Sequence, residues 1–167
     1  MASHEYRFLT HWRVEGTPEE ISEILEDPSR LPEWWPSVYL KVEQRGQEYH
    51  LHTRGWLPYT LRWAFRVVRA DPPSGFALRA WGDLEGQGEW KLTALDPSHT
   101  SVVYDWRVAA NKPILRYLSW LLKPVFAANH GWAMRQGLVS LNLELKRRRG
   151  QPAAAPPGPL SWGYFFK

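Results

Sequence analysis

The longest helical signal in the chain lies near its end, from Pro113 to Arg149, and the rest must be arranged to cover it. In its second half Ala127, His130, Met134, Leu138, Leu141 and Leu145 recur at steps of three and four, the spacing of one face of an α-helix. One imidazole therefore sits on an otherwise apolar stripe. The first half has its own stripe, Ile114, Leu118, Leu121 and Val125, which points nearly the opposite way. A single straight helix cannot bury both. Pro124 lacks an N–H and Gly131 weakens the helix nearby, so the sequence predicts two segments meeting at a kink close to Pro124. The first segment then packs elsewhere or caps an entrance.

What precedes this run reads as strands. Tyr6 to Glu15 alternates, with Tyr6, Phe8, Thr10, Trp12 and Val14 on one side and Arg7, His11, Arg13 and Glu15 on the other. Gly16 ends that strand. Thr17-Pro18-Glu19-Glu20 has the form of a capping box opening a helix, with Ile21, Ile24 and Leu25 as its apolar side and Asp27-Pro28 as its stop. Leu31-Pro32-Glu33-Trp34-Trp35-Pro36 admits only a short helix or turn. Adjacent tryptophans in a regular helix do not share one face, so one of them is expected at the edge of an opening.

From Val38 to Ala109 about six strands follow in succession. Val38, Leu40 and Val42 alternate with polar neighbours, Gly46 allows a hairpin, and Tyr49, Leu51 and Thr53 oppose His50, His52 and Arg54. Leu61, Trp63, Phe65 and Val67 share a face. Asp71 to Gly75 turns the chain, and Phe76 to Trp81 is too apolar on both sides for its register to be read. Gly82 to Gly88 is assigned to the next turn, then Gly88, Trp90, Leu92 and Ala94 face inward. After Asp96-Pro97-Ser98, Val102, Tyr104, Trp106 and Val108 form the inner face of the last strand. An antiparallel meander with one polar face needs its apolar face covered, and the terminal helix is the only element long enough. The fold class is therefore α+β, a curved sheet wrapped around a long C-terminal helix, with a hollow between them.

Residues 1–149 form the expected domain. Residues 150–159, GQPAAAPPGP, have the composition of an extended linker, and 160–167, LSWGYFFK, make an aromatic tail that can fold back on its own domain, bind a partner such as a second copy in a homodimer, or stay disordered, with order on its own surface the favoured expectation. There is no cysteine, which excludes disulfides and thiol chemistry. The net charge of +4 owes much to Lys146, Arg147, Arg148 and Arg149, whose simplest role is to complement the helix dipole, so no nucleic-acid partner is expected. MASHEYRF has no apolar signal region, and Arg116, Lys123 and His130 interrupt the most apolar run, so a cytoplasmic protein without a transmembrane segment is expected.

The segments HWRVEGTPEEISEILEDPSRLPEWWP, GQGEWKL, TSVVYDWRV and KPILRYLSWLLKPVFAANHGWAMRQGLVSL resemble the helix-grip proteins of the SRPBCC superfamily, which includes START-type lipid-binding domains and polyketide cyclase/dehydrase-like proteins. The resemblance spans roughly residues 5–148 and rests on Thr17-Pro18-Glu19, a tryptophan at Trp35, Asn129-His130 and Gly137. It implies an elongated cavity between sheet and helix for a hydrophobic small molecule.

The pattern of inward positions agrees with that. Trp12, Trp35, Tyr49, Leu51, Trp63, Phe65, Trp90, Tyr104, Trp106, His130 and Met134 are the candidate ligand-binding residues. Eleven tryptophans, seven tyrosines and six phenylalanines supply large flat surfaces for such a lining, or simply for a bulky core. His130 is the sharpest chemical candidate. It can act as a general acid or base, orient a ligand oxygen, or be a buried imidazole bonded to Tyr104 or to a backbone carbonyl. Two function classes follow. One is a binding or carrier protein for a lipid, isoprenoid, quinone or polyketide-like compound. The other is a cyclase or dehydratase in which His130 and Tyr104 transfer protons. His50 and His52 share a strand face but lack a third ligand nearby, and no glycine-rich phosphate loop is present, so neither metal nor cofactor is expected.

Overall fold

The alternation at the start of the chain becomes β1 (Glu5–Glu15), with Tyr6, Trp12 and Val14 buried and Arg7, His11 and Arg13 exposed. The computed structural model describes residues 5–111 and 113–160, without the side chains of 114–116 and 118–120. Thr17 caps α1 (Pro18–Leu25) as the sequence predicts. Its hydroxyl oxygen accepts from the Glu20 N–H, and the Glu20 carboxylate accepts from the Thr17 N–H. Ile21, Ile24 and Leu25 are buried beneath it. A single 3-10 turn leads into α2 (Leu31–Trp34).

Strands β2 (Tyr39–Arg45), β3 (Glu48–Thr53), β4 (Leu61–Asp71), β5 (Gly75–Gly82), β6 (Leu84–Asp96) and β7 (His99–Ala110) follow, then α3 (Pro113–Arg148). Every pairing is antiparallel, and β1 closes the meander by lying beside β7, giving the order β1-β7-β6-β5-β4-β3-β2. Helix α3 covers the apolar side of this seven-stranded sheet. The architecture is the helix-grip fold.

Several local expectations change. Helix α3 is one continuous element with Pro124 inside it, rather than two segments. Pro124 is exposed, so its ring and its missing N–H fall at a position outside the core. Of the first stripe, Leu121 is exposed and Val125 half-buried; Tyr117 is exposed, as is Ala127 at the start of the second stripe. Ile114 and Leu118 lie outside the described side chains. Trp34 and Trp35 are both buried, at 1% and 2% exposure, because the chain leaves helical geometry at Trp35 (φ −127°, ψ 54°); Trp35 takes the expected place at the edge of an opening, lining the cavity described below.

Gly82 to Gly88 is not a turn. Only Asp83 separates β5 from β6, and Gly86 and Gly88 lie within β6. A Cβ on Gly88 would stand 2.9 Å from the Trp106 ring and 3.0 Å from Tyr104, so the glycine makes room for rings on the neighbouring strand. A bulge between Tyr39 and Lys41 turns Tyr39 inward alongside Val38, breaking the expected alternation, and another between Val67 and Arg69 leaves Val67 exposed. In β5 the register left open by sequence buries Phe76, Leu78 and Ala80. Ala94 is exposed.

The main core gathers Trp12, Val14, Ile21, Ile24, Trp34, Leu78, Trp90, Leu92, Val102, Leu141 and Leu145, among others, at one end of the gap between α3 and the sheet. Full burial of each aliphatic side chain contributes about 1.5–3 kcal/mol. At the basic end of α3, Arg149 fastens the chain to α1 and β1, while Arg147 and Arg148 pair within the helix. Arg147 and Arg148 bond Glu144, while Arg149 bonds Glu20 at 2.7 Å and donates to the Glu15 carbonyl. The start of the 150–159 stretch is also tied down, since Arg147 donates to the Ala154 carbonyl. Of the aromatic tail only Leu160 is described, and 161–167 lie outside the described residues.

Candidate functional site: a cavity between sheet and helix

At the other end of that gap the packing opens into a cavity of about 140 Å³. Strand β1 contributes Tyr6 and Phe8, the inner faces of β4 and β7 contribute Leu61, Trp63, Tyr104, Trp106 and Val108, and the α2–β2 corner contributes Trp35, Val38 and Tyr39. Helix α3 closes it with Phe126, Asn129, His130, Ala133 and Met134. The connection from β3 to β4 supplies Arg54, Gly55 and Tyr59.

Beside the backbone bond from the Arg54 N–H to the Val38 carbonyl, one side chain of α3 holds that connection. Asn129 Oδ1 accepts from the Trp56 N–H at 2.8 Å and from the Leu57 N–H at 3.4 Å. Gly55 lies so close that a Cβ there would stand 2.1 Å from the same oxygen. Asn129 thus performs for the 54–60 loop what a neighbouring strand would do for a β-strand, satisfying backbone donors. At the opposite wall, Trp35 rests on Gly137. A Cβ at that position would lie 2.3 Å from the Trp35 ring, so only glycine lets the indole touch the helix backbone. Trp63 Nε1 donates to Thr53 Oγ1 at 3.0 Å, fixing that indole against the cavity.

The polar groups of the cavity are mostly neutral. His130 stacks on Phe8, ring centres 4.3 Å apart, and burial holds its pKa down at about 4. Its Nε2 is buried without a hydrogen-bond partner among the described residues, as are Trp35 Nε1 and Arg54 Nε. The bonded-histidine alternative is therefore not what the Nε2 atom does. Tyr104 stacks on Trp90 at 4.1 Å, and burial raises its pKa, as it does for Tyr39, while Tyr59 is pushed up to about 12. All these phenols keep their protons at neutral pH. No Asp or Glu is among the described residues that line the cavity.

Six of the candidate residues line the cavity: Trp35, Trp63, Tyr104, Trp106, His130 and Met134. Trp12, Tyr49, Leu51, Phe65 and Trp90 also turn toward the helix side, but they fill the core around one another, as in the tilted Trp12–Trp90 pair and the stacked Tyr49–Phe65 pair. Sequence reasoning missed Tyr6 and Phe8, whose inward faces it had identified without carrying them to the site. It missed Tyr39 because of the bulge, and Arg54, Gly55 and Tyr59 because loop residues carry no periodicity. Asn129 was visible only through the family resemblance. On the opposite face of the sheet His50 contacts Glu48 at 3.1 Å, and no group of three potential metal ligands occurs among the described residues. No described helix is long and apolar enough to cross a membrane.

Fold and cavity together define a START-like helix-grip protein of the SRPBCC superfamily. The chain belongs to the polyketide cyclase / dehydrase and lipid transport family, whose model matches residues 7–135. Among solved structures it is similar to an aromatase/cyclase from Streptomyces (20% identity, TM-score 0.67, covering 87% of this chain and 96% of that one). It is also similar to a conserved protein from Geobacillus kaustophilus (16%, TM-score 0.66, 85% and 96%). A START superfamily protein from Mycobacterium smegmatis shares the fold as well (16%, TM-score 0.58, 81% and 98%). No curated protein matches the chain.

Proposed function

We propose that the protein is a binding or carrier protein for a hydrophobic small molecule of the lipid, isoprenoid, quinone or polyketide-like kind, held between the sheet and α3. The observation that carries this reading is the aromatic-walled cavity at one end of an otherwise filled core. Its size bounds the occupant: about 140 Å³ is close to an engineered cavity of roughly 150 Å³ that takes up benzene. A longer ligand enters only if a wall moves. The 54–60 loop is the natural one, since it lies between β3 and β4 and is tied to α3 through Asn129.

Cyclase or dehydratase chemistry through His130 and Tyr104 is the competing reading, and both residues do line the cavity. Their protonation states weigh against it. Acid/base catalysis works best with pKa values near the working pH, whereas burial depresses His130 and raises Tyr104, moving the two apart. Among the described residues, no carboxylate lines the cavity to serve as another base.

Filling the cavity tests the proposal. Ala133→Trp, placed on the α3 wall, should abolish uptake of a hydrophobic probe such as decanoic acid while the fold persists by circular dichroism. Undiminished uptake would place the ligand elsewhere. His130→Ala separates the two classes: a carrier keeps most of its affinity, whereas an enzyme binds substrate and loses turnover.

A further inference from the structure

The outer face of the sheet carries a group of residues that the inner cavity does not use. The register of β5 turns Trp81 outward, opposite Ala64 of β4. Among the described residues it is the only Trp, Tyr or Phe that the strand pairings place on that face. The indole is half-buried, and among the described residues it stacks on no other ring and has no Lys or Arg over it. A large flat surface left partly in water is a surface that a stacking partner can cover.

The sheet sets its neighbours in two rows. His50, Ala64 and Trp81 lie directly across from one another on β3, β4 and β5, and Lys41, His52 and Arg62 do the same on β2, β3 and β4 in the next outward row. Neighbouring strands are about 4.8 Å apart, and successive outward positions on one strand about 6.8 Å. Ala64 is thus a methyl between two rings, flanked by a row of basic side chains. A depression of about 340 Å³ lies over this step, and His50, Trp81, Lys41, His52 and Arg62 all line it. Small-molecule sites have volumes of roughly 300–1,000 Å³.

Charge narrows what can enter. The nearby carboxylates are already engaged, Glu43 by Arg45 at 3.0 Å and Glu48 by His50 at 3.1 Å. Asp83 accepts from the Arg62 backbone N–H, and neither the Arg62 guanidinium nor the Lys41 ammonium has an ion-pair partner among the described residues. Two free cations beside a stacking surface call for a flat ring that carries an anion. A carboxylate would match one of them, whereas a phosphate monoester, at about −1.5 to −2 charge near neutral pH, matches both, and the guanidinium fork suits its oxygens.

We infer that the outer face holds a second site, separate from the cavity: it takes a phosphorylated aromatic compound of the nucleotide kind, the ring stacked on Trp81 beside His50 and the phosphate received by Arg62 and Lys41. The site does not rest on the carrier reading. A free nucleotide and a single-stranded nucleic acid offer the same chemistry. For a strand, Arg66 and Arg79, directly opposed one row further on, stand where another phosphate would pass.

Isothermal titration calorimetry at neutral pH with AMP, adenosine and ribose 5-phosphate tests the assignment. AMP should bind at least about tenfold more tightly than either fragment, and less tightly as salt is raised. Arg62→Gln should lower AMP affinity by about tenfold and leave adenosine unchanged. Trp81→Leu, which keeps an apolar side chain on the sheet, should weaken AMP and adenosine and leave ribose 5-phosphate unchanged. The two variants act on different parts of the ligand, so either alone carries the test if the other folds poorly by circular dichroism. Ala133→Trp, inside the cavity, should bind AMP as the unaltered protein does. A short oligodeoxyadenylate that binds more than about tenfold tighter than AMP would identify a nucleic-acid strand as the source, and equal affinity a free nucleotide; both uphold the site. No AMP binding at millimolar concentration, equal affinity for AMP and its fragments, full affinity in both outer-face variants, or loss of binding in Ala133→Trp would overturn it.

Discussion

The two ends of the gap beneath α3 are built from the same kinds of residues and behave oppositely. At one end Trp12, Trp34, Trp90, Leu92, Leu141 and Leu145 interlock without a hollow. At the other, Phe8, Trp63, Tyr104, Trp106 and Met134 stand around one. Aromatic content therefore does not decide where a cavity forms. What differs is how the helix is seated. At the filled end α3 lies against the corner between β1 and α1, with Leu145 3.4 Å from where a Cβ on Gly16 would be, and the Arg149–Glu20 ion pair and the Arg149 bond to the Glu15 carbonyl hold it down. At the open end it meets β1 through single ring contacts, His130 on Phe8 and Phe126 on Tyr6, and the 54–60 loop through Asn129. Trp35, resting on Gly137, is the partition.

The comparison breaks most visibly at the filled end. Leu141→Ala, at a side chain with no exposure, should cost about 2–5 kcal/mol by urea unfolding, because the packed surroundings cannot collapse around the loss. An equal truncation at the open end, Met134→Ala, should cost less by merely enlarging an existing hollow. Gly137→Ala attacks the partition. Its methyl overlaps the Trp35 ring, so about 1–3 kcal/mol of overpacking is expected, with the indole pushed toward the cavity and ligand affinity reduced. Unchanged stability and affinity together would mean that the contact is not the divider.

A smaller effect is expected at the loop. Asn129→Ala leaves the Trp56 and Leu57 amides without their acceptor, for about 1–3 kcal/mol, and hydrogen exchange at those two amides should accelerate more than in β6 or β7. The smallest change should come from His130→Phe, which replaces an unpaired buried imidazole by a ring that can still stack on Phe8; its stability at neutral pH should stay within about 1 kcal/mol of the original or rise. The same variant sharpens the comparison through pH. With the folded-state pKa lowered from 6.5 to about 4, protons bind the unfolded chain first, so stability held above pH 6.5 is lost as pH falls toward about 4. His130→Phe should flatten that slope in chemical unfolding across this window. A slope identical to the original would remove His130 as its source.

Much of this was legible in the sequence, and the failures share a cause. Strand alternation in Tyr6–Val14, the Thr17 capping box and the Met134–Leu145 stripe are local patterns, and each appears in the structure where it was read. The bulge that turns Tyr39 inward, the glycines of β6 that receive rings from β7, and the loop that brings Arg54 and Tyr59 to the cavity depend on what lies opposite in space. Periodicity reports which way a side chain points, not whether its neighbours leave a void. Hence His130, Met134, Trp63 and Trp106 could be placed on inner faces, while Trp12 and Trp90, equally inward, could not be told apart from them.

The central claim is that the open end holds a hydrophobic ligand. Native mass spectrometry of the freshly purified protein, followed by solvent extraction of whatever is bound, tests it most directly, with Ala133→Trp run alongside. The account predicts a discrete apolar mass on the unaltered protein, or stoichiometric uptake of added decanoic acid, and neither on the filled variant. An apo mass that accepts no such probe, or equal loading of both proteins, would contradict it.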